Sequence, residues 1–569
     1  MLPAWFIIIS YLFVGISIQL LGILFSRLSK RIGYIVEITI AISAVVYIFI
    51  QYPFLDSFIY IAFVSSGYAS TILLTANYDK YTELKSEIKN LDLIKIDLTR
   101  NIFRILIDVT LAFVVFIGAI TFLIYGPTSS PLKFIIAYGM VSAISEIVKR
   151  TITFASINVY YNHEKDSLLI VSPLNSRQLP LEDLQTVTEE SSVDILRLHP
   201  YFTLFSSTAD FTTSLDKVLK LQFSGETIHL TFKDTIKWRT VFDQYLSDPV
   251  ELEEITILPF YHRKNLKRLL GKLYFAMTVK GISAYSGLLL VLYYFDLPVF
   301  IMIPAILVYW FVNLYFSDRI LQLAMDAKPT VNPEVIESAR RIFKKANISQ
   351  VQVYETESTE YNGLATGVHI GRSMVTLTTA TLQLPLSAIE GILAHEAVHV
   401  QKRDVMWGQV WKMAYFIVLF FGIVFLFNHQ EVIMNYKIPL FFAIWFIMIL
   451  FPIYQSFYTQ RMEVRADHLG ATFLNGSTEQ MAQSLSMLAR NQDNALQKSV
   501  EYSAVNSKKL TESSLDRPSW IWRFLEFQFM PHPPMYWRVE MLKQNKIGWN
   551  KSIRRQWFFD RFRESFLKS

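Results

Sequence analysis

Nine long apolar segments recur along the 569-residue chain and constrain its fold more than any other feature. A helix of about 20 apolar residues crosses the hydrocarbon core of a bilayer, because in lipid a helix satisfies its own backbone hydrogen bonds. Hydrophobic residues make up 52% of the chain and charged residues 18%, which agrees with a polytopic α-helical membrane protein. The predicted spans are 5–25, 34–50, 55–76, 102–125, 134–154, 274–295, 299–316, 413–427 and 438–458.

The loops between these segments alternate in charge. Those at 26–33, 79–100 and 261–268 are rich in Lys and Arg, whereas those at 51–56 and 126–132 contain neither residue. Basic loops remain on the cytosolic side of a membrane. We therefore expect a multi-pass membrane protein, with its N-terminus outside and its soluble parts, including any active site, in the cytosol.

Changes in composition divide the chain into four parts. Residues 1–157 are predicted to form an N-terminal transmembrane module of about five helices, and residues 158–250 a cytosolic β-rich domain. Residues 251–316 hold a basic linker and a transmembrane hairpin. Residues 317–569 are predicted to form a mainly α catalytic domain, which a second transmembrane hairpin interrupts at about 411–458.

The predicted β-rich domain, residues 158–250, has short apolar runs separated by turn residues. Residues 223–227 (FSGET) predict a hairpin turn between two of these runs. A helix over 235–246 follows, with Asp234 as its N-cap and Trp238 on its apolar face. Several strands closed by one C-terminal helix are similar to a small bacterial PH domain, and this similarity rests on the pattern alone.

The catalytic segment contains the sequence H-E-x-x-H, in which His395 and His399 are the two histidines. On a helix they lie one turn apart on the same face, so both imidazoles can bind one Zn²⁺. Glu396 lies next to them and can take a proton from a water molecule whose pKa zinc lowers to about 7. The alternative is a surface helix with two unrelated histidines.

The geometry of this motif requires a helix, and the surrounding sequence predicts one. Residues 384–400 carry Leu, Ile and Ala at helical spacing. Ser387 and Glu390 stand in the capping-box pattern, which predicts that the helix begins at Ser387.

A zinc site of this type needs a third protein ligand, for which Glu463 is the candidate. Asp467 follows four residues later on the same helix face, in an E-x-x-x-D pattern, and can accept the free ring N–H of a ligand histidine. Two solvated helix charges would be the ordinary alternative for such a pair. His468 is a rival ligand, but it points about 100° away from Asp467 on a regular helix.

Four motifs together resemble the membrane zinc metallopeptidases of the HtpX and CaaX prenyl protease type. They are EGILAHEAVHVQKRDV at 390–405, QRMEVRADHLG at 460–470, NGLATG at 362–367 and His-Pro-Pro with a following Arg at 532–538. The resemblance covers roughly residues 269–543. The family prefers Ala and an aromatic residue where this chain has Gly363 and Leu364, which places substrate contacts in doubt.

The resemblance implies a zincin-type domain that holds one Zn²⁺ per chain. His395, His399 and Glu463 would be the ligands, Glu396 the general base, and Asp467 the residue that orients a ligand. In the same way, His532 is expected to stabilise the oxyanion, Arg538 to act as a structural or substrate-side partner, and Asn362 to lie in a substrate-binding segment. The remaining alternative for Arg538 is a residue in a Pro-rich turn that leads into a helix.

The predicted function is therefore that of an integral-membrane zinc endopeptidase acting on membrane-associated or unfolded proteins or peptides. Two alternatives are a protease-like membrane sensor or signalling receptor and a non-catalytic membrane scaffold. The net charge of +6 fits basic cytosolic loops at the bilayer, and no nucleic-acid partner is expected. Because cysteine is absent, disulfides and thiolate ligands are excluded. The substrate's identity and the oligomeric state do not follow from the sequence.

Overall fold

The computed structural model describes nine stretches of the chain. Of the predicted spans, 134–154 is described only from residue 147 and 274–295 only to residue 275, so most of both lies outside the described residues. The described part is mainly helical, with three four-stranded sheets. The described residues are 5–26, 28–125, 147–191, 208–246, 262–275, 298–367, 372–505, 513–544 and 546–567.

The N-terminal segments form apolar helices that pack closely. They are α1 Trp5–Ser26, α2 Lys30–Gln51, α3 Phe54–Thr75, α4 Tyr78–Ile88, α5 Ile102–Tyr125 and the described part of α6 at 147–156. A Cβ atom on Gly15 of α1 would overlap the carbonyl oxygen of Val64 on α3, and one on Gly67 would overlap that of Leu12. These two glycines therefore let α1 and α3 approach backbone to backbone, as small residues do between membrane helices.

Two helical segments in the described part are long and apolar enough to cross a membrane, Ile7–Ser26 and Arg31–Gln51. Shorter apolar helices run over Phe116–Tyr125 and Pro304–Tyr315. The predicted number of nine spans is not confirmed by the described residues and stays a prediction.

The β-rich region consists of two sheets and one helix. Their elements are β1 Ile94–Ile96, β2 Asn158–Asn162, β3 Ser167–Val171, β4 Arg177–Pro180, β5 Leu184–Ser191, β6 Thr208–Asp210, β7 Lys217–Phe223, β8 Thr227–Leu230 and α7 Thr235–Asp243. The strand orders are β1-β2-β3-β4 and β5-β7-β8-β6. Asp234 accepts a hydrogen bond from the Lys237 amide and caps α7, and Trp238 is buried in the core, as the pattern predicted. Because β1 precedes α5 in the chain, the fold of this region also uses residues N-terminal to 158.

Asp210 joins the β-rich region to the apolar helices. It lies at the end of β6 and pairs with Arg104 of α5, 2.8 Å away, and with Arg150 of α6. Burial alone would raise the pKa of Asp210, but the two guanidinium groups outweigh it and lower the pKa to about 2. The carboxylate is therefore ionised at neutral pH and binds an arginine of each helix.

The catalytic segment surrounds a third sheet of order β11-β12-β10-β9. Its core contains apolar residues of this sheet and of the helices packed around it, including the helix of the H-E-x-x-H motif. The strands are β9 Lys328–Pro329, β10 Gln352–Thr356, β11 Gly363–Thr366 and β12 Met374–Thr378. The helices are α8 Arg263–Phe275, α9 Val299–Tyr315, α10 Ser317–Met325, α11 Pro333–Lys345, α12 Thr379–Leu382, α13 Leu386–Lys402, α14 Asp404–Asn428, α15 Gln430–Asn435, α16 Lys437–Gly470, α17 Ser477–Ser503, α18 Trp520–Phe529, α19 Met535–Lys543 and α20 Lys551–Phe566.

The predicted helix around the H-E-x-x-H motif is present as α13, but its predicted capping box is wrong. The N-cap is Pro385, and Ser387 lies inside the helix. Glu390 instead accepts hydrogen bonds from Ser338 Oγ at 3.1 Å and from Gln480 Nε2 at 3.0 Å. These partners belong to α11 and α17, and spacing along a single helix does not reveal them.

Helix α17 connects the catalytic core to the β-rich region. Met481 and Leu485 near its start are buried with residues of α13. Tyr502 at its other end is 1% exposed, lies in the core of the β-rich region, and donates a hydrogen bond to Asp183 Oδ2 at 3.0 Å. Lys498 pairs with the same carboxylate at 3.0 Å. One continuous helix thus belongs to two hydrophobic cores.

Gly225, in the turn between β7 and β8, allows this contact and supplies a test. A Cβ atom there would overlap the backbone nitrogen of Ser499 and lie 2.8 Å from the carbonyl oxygen of Ala495. Backbone atoms of a helix cannot move aside easily, so we expect Gly225→Ala to destabilise the contact by about 1–3 kcal/mol. Hydrogen exchange at residues 495–503 should then be faster than in the wild type.

Gly118→Ala is the matched control, because a Cβ atom at Gly118 meets nothing within 4 Å. Unchanged exchange at 495–503 in Gly225→Ala would show that α17 does not depend on this turn.

Candidate metal centre and active site

Helix α13 places both motif histidines on one face. His395 and His399 are one turn apart, with ring centroids 4.7 Å apart and Nε2 atoms 3.1 Å apart. Glu463 of α16 lies opposite them, with its carboxylate oxygens 3.4 Å from each Nε2 atom. The three residues offer ligand atoms that all lie within 4.8 Å of one another. The structure therefore brings together the three residues that the sequence predicted as metal ligands.

The Nδ1 side of His395 is held by Asp467. The Oδ1 atom of Asp467 lies 2.9 Å from His395 Nδ1, as the sequence predicted for a carboxylate that orients a ligand. Asp467 also accepts two hydrogen bonds from Arg538, at 2.8 and 2.7 Å. Arg538 is 6% exposed, so this geometry favours the structural role among those expected for it and not a contact with substrate.

The Nδ1 side of His399 is held by a residue that the sequence analysis missed. Asp404 Oδ2 lies 2.8 Å from His399 Nδ1, and Arg465 pairs with the other oxygen of the same carboxylate. On a continuous helix, Asp404 would point about 140° away from His399. The chain instead turns at Arg403, which has the left-handed conformation (φ 54°), so that Asp404 begins α14 and faces back to the histidine. An acidic residue shortly after the motif was the available signal, but the turn was not predictable from spacing.

The carboxylates around the two imidazoles determine their charge when no metal is bound. Burial alone would lower the pKa of His395, but hydrogen bonds to Asp467 and Glu463 outweigh it and raise the pKa to about 9. Burial is likewise outweighed at His399, where Asp404 and Glu463 raise the pKa well above its usual value. The pKa of Glu463 is held well below its usual value by His532 and the two ligand histidines, against the opposite effect of burial.

The donor set fits a zinc ion. Each Nδ1 atom faces a carboxylate, so a neutral imidazole keeps its proton there and directs the Nε2 lone pair towards Glu463. Two neutral imidazoles and one carboxylate form a recurrent ligand set of catalytic zinc sites, which keep a further position open. Zn²⁺ would also supply positive charge to a buried site in which Glu463 faces both imidazoles.

Glu396 lies close to the edge of the third sheet. It is 7% exposed, and a Cβ atom added to Gly363 of β11 would lie 3.3 Å from its Oε1 atom. Asn362 directly precedes β11. Its backbone is bonded to Thr378 and Thr381, and the residue is exposed. The absence of a side chain at Gly363 thus brings this strand directly against the carboxylate of the motif.

The two other histidines that the sequence singled out, His532 and His468, differ in their exposure and in their distance from the cluster. His532 has a 61% exposed side chain, and its Nδ1 atom is 2.9 Å from Glu463 Oε2. It is therefore near the cluster and accessible from outside. His468 is 1% exposed and its Nδ1 bonds to the Lys546 carbonyl at 2.8 Å, which leaves it outside the metal cluster.

Asp404 should affect metal affinity without supplying a ligand. In Asp404→Asn the imidazole of His399 loses a charged acceptor, and we expect zinc affinity to fall by about 10–100-fold. Competition with a chromophoric chelator measures the change. Asp234→Asn is the control, because this exposed residue caps a helix of the β-rich region and asparagine caps equally well. Equal affinities in both variants would exclude a role for Asp404 at the centre.

Zinc affinity should also depend strongly on pH. Below a pH of about 9, His395 in the metal-free site carries a proton that the metal must displace, and so does His399 below its own raised pKa. Apparent affinity should therefore rise with pH up to about 9, by as much as tenfold per pH unit for each proton displaced. Titrations at several pH values test this, and an affinity that is constant from neutral pH upwards would contradict it.

Comparison of the sequence with known protein families supports a peptidase site. Residues 329–546 match peptidase family M48, and residues 158–246 match a bacterial PH domain. This match supports the PH-like character that the strand pattern indicated.

Among curated proteins, the chain is similar to several that are named "Protease HtpX homolog". One from Pelotomaculum thermopropionicum is 33% identical over 100 residues, which are 17% of this chain and 36% of the relative. One from Acaryochloris marina is 32% identical over 96 residues, 16% of this chain and 33% of the relative. One from Ralstonia nicotianae is 29% identical over 124 residues, 20% of this chain and 43% of the relative.

The chain thus spans about a third of the length of the first two of these relatives. The resemblance that the four motifs indicated is confirmed by these matches and by the His-His-Glu cluster. Residues 329–546 of the chain therefore match peptidase family M48, and the similarity to proteins named HtpX homologues supports a metallopeptidase of the HtpX type.

Proposed function

We propose that the protein is an integral-membrane, zinc-dependent endopeptidase that cleaves membrane-associated or unfolded proteins at the cytosolic membrane face. The observation that carries this proposal is the His395, His399 and Glu463 cluster with Glu396 beside it. The M48 match supports peptide-bond hydrolysis as the reaction.

Strand β11 is the proposed binding element for the substrate. It pairs only with β12 in its sheet as described, so its other edge can accept an extended peptide by β-addition. Gly363 brings this strand against Glu396, and Asn362 is exposed at its start. A peptide paired to β11 would therefore run past the metal centre with its backbone held in register.

The residues of the chain divide the chemistry between them. When bound, zinc would act as a Lewis acid and lower the pKa of water, so that the water can lose a proton and attack near neutral pH. Glu396 takes a proton from the attacking water and returns it to the leaving amine. His532 is the proposed donor to the developing oxyanion, and the ring nitrogen for this role is Nε2, because Nδ1 lies 2.9 Å from Glu463 Oε2.

Arg538 has a different role in this proposal. Its guanidinium is bidentate to Asp467 and lies 3.5 Å from the ligand Glu463, so it stabilises both of these buried carboxylates. We assign it to the support of the metal centre and leave substrate contact to Asn362 and β11.

The position of the centre supports activity at a membrane face. Helix α16 is continuous from Lys437 to Gly470, and it contains both the predicted span 438–458 and Glu463. Glu463 lies five residues past this span, a distance of about 8 Å along a helix. The ligand carboxylate is therefore held near the bilayer surface, where membrane-associated chains are available.

The sensor or receptor alternative would need a sizeable extracytoplasmic domain, and every predicted outer loop is short. The scaffold alternative requires neither a metal nor Glu396. The scaffold therefore predicts that replacing Glu396 leaves the function unchanged, and one variant separates it from the peptidase.

Purified protein with zinc should cleave an unfolded model protein, and Glu396→Gln should not. We expect kcat to fall by at least about 10²-fold, because proton transfer by a positioned group contributes that much or more. Zinc content should stay unchanged, since Glu396 is not a ligand in the cluster. Glu337→Gln, at an exposed position of α11, is the matched control and should keep full activity.

Equal cleavage rates of the zinc-loaded wild type and Glu396→Gln would contradict the assigned role of Glu396. A wild type that binds zinc but cleaves nothing would support the scaffold.

A further inference from the structure

The last helix, α20, exposes an aromatic face. Phe558, Phe559, Phe562 and Phe566 are 40, 56, 45 and 61% exposed. On a regular helix they fall within an arc of about 100°, whereas Ile553, Trp557 and Arg561 point the other way and are buried. Such exposure is unusual for a solvent-facing helix, because large aromatic groups gain most from burial.

Helix α18 extends this face. Its first residues, Trp520, Ile521 and Trp522, are 38, 52 and 59% exposed. Phe524 of α18 contacts Phe566 of α20, with ring centroids 5.6 Å apart. We call the exposed aromatic and apolar residues of both helices the C-terminal aromatic surface.

Ion pairs hold the two helices together beneath this surface. Glu564 of α20 pairs with Arg523 of α18 at 3.1 Å and with Arg517 at 3.0 Å. Arg523 also donates to the carbonyl groups of Glu564 and Leu567. The surface is therefore built on a fixed helix pair.

The exposed charges of α20 have one sign. Lys551, Arg554, Arg555 and Arg563 are exposed, whereas the acidic residues of this helix are half-buried and bonded within the protein. Asp560 accepts a hydrogen bond from Trp537 Nε1 at 3.2 Å, and Glu564 binds the arginines named above. An aromatic face flanked by exposed basic residues is typical of a helix that lies in the interface of an anionic bilayer.

The C-terminal aromatic surface is continuous with a predicted membrane span. Phe457, at the end of span 438–458 on α16, contacts Trp557 and Phe558 of α20 at centroid distances of 5.2 and 6.4 Å. Arg561 of α20 donates to Gln460 Oε1 at 2.7 Å, three residues before the ligand Glu463. The surface thus begins where α16 leaves the predicted membrane.

We propose that the C-terminal aromatic surface docks into the headgroup region of the bilayer and so fixes the height of the metal centre above the membrane. Phenylalanine and tryptophan side chains enter the boundary between headgroups and acyl chains, and the basic residues meet anionic phospholipids. Through Arg561 and Phe457, this docking acts on the segment of α16 that carries Glu463. The inference rests on the membrane placement of α16 in the proposed function.

The chain contains no cysteine, so one introduced cysteine carries one spin label. We would label Phe559→Cys and, separately, Trp522→Cys in the full chain, reconstituted into vesicles with anionic phospholipid. Accessibility to oxygen, which partitions into lipid, is compared with that to a water-soluble nickel complex. Phe13→Cys, 61% exposed on α1, is the lipid reference, and Val331→Cys, 83% exposed, is the water reference.

We expect the oxygen-to-nickel ratio at 559 and 522 to exceed that at 331 several-fold and to approach that at 13. Ratios at 559 and 522 equal to that at 331, with a lipid-like ratio at 13, would overturn the proposal. A water-like ratio at 13 as well would instead contradict the membrane placement itself. Dipolar broadening at 559 that disappears on dilution with unlabelled protein would show a second copy on this surface and would also overturn it.

Discussion

The Asp467 carboxylate is the interaction on which the metal centre depends. It accepts hydrogen bonds from His395 of α13 and from Arg538 of α19, and it stands one turn after Glu463 on α16. A buried charge that loses its partner costs about 3–5 kcal/mol, so these groups stabilise the fold only together. One side chain therefore fixes the orientation of a ligand and joins three segments that lie far apart in the chain.

The same arrangement explains why the centre favours the binding of a cation. The Nε2 atoms of His395 and His399 face each other across 3.1 Å, and Glu463 stands opposite both. Arg538 and Arg465 pair with Asp467 and Asp404, but the carboxylates that face the two imidazoles still favour their protonated forms when no metal is bound, which raises the pKa values of both histidines. Proton binding and metal binding thus compete for the same nitrogen atoms.

Two rigid helices connect this centre to the rest of the protein. Helix α16 carries Glu463 and continues into an apolar segment, while α17 packs on α13 and ends in the core of the PH-like domain at Tyr502. The PH-like domain is in turn bound to α5 and α6 through Asp210. Helices α5 and α6, the PH-like domain and the metal centre are therefore connected by packed cores and ion pairs.

The sequence predicted the helix of the H-E-x-x-H motif, the three residues of the metal cluster and the position of Asp467. The 3.6-residue period of one helix pairs His395 with His399, whereas Glu463 and Asp467 on a second helix were indicated by their own four-residue spacing and by the family resemblance. The sequence also predicted the cap and the core tryptophan of α7, which depend on neighbouring residues. It failed at the capping box, where Glu390 found partners on other helices, and it missed β1 as part of the β-rich region.

Only the tertiary structure could place Asp404 on His399, Arg538 on Asp467, Gly363 against Glu396 and Tyr502 in a second core. Each of these contacts joins segments whose separation in the chain carries no periodic signal, or depends on one left-handed residue such as Arg403. Local spacing therefore determined which chemistry the chain can perform. Long-range packing decided which charges are buried together and which apolar surfaces stay exposed.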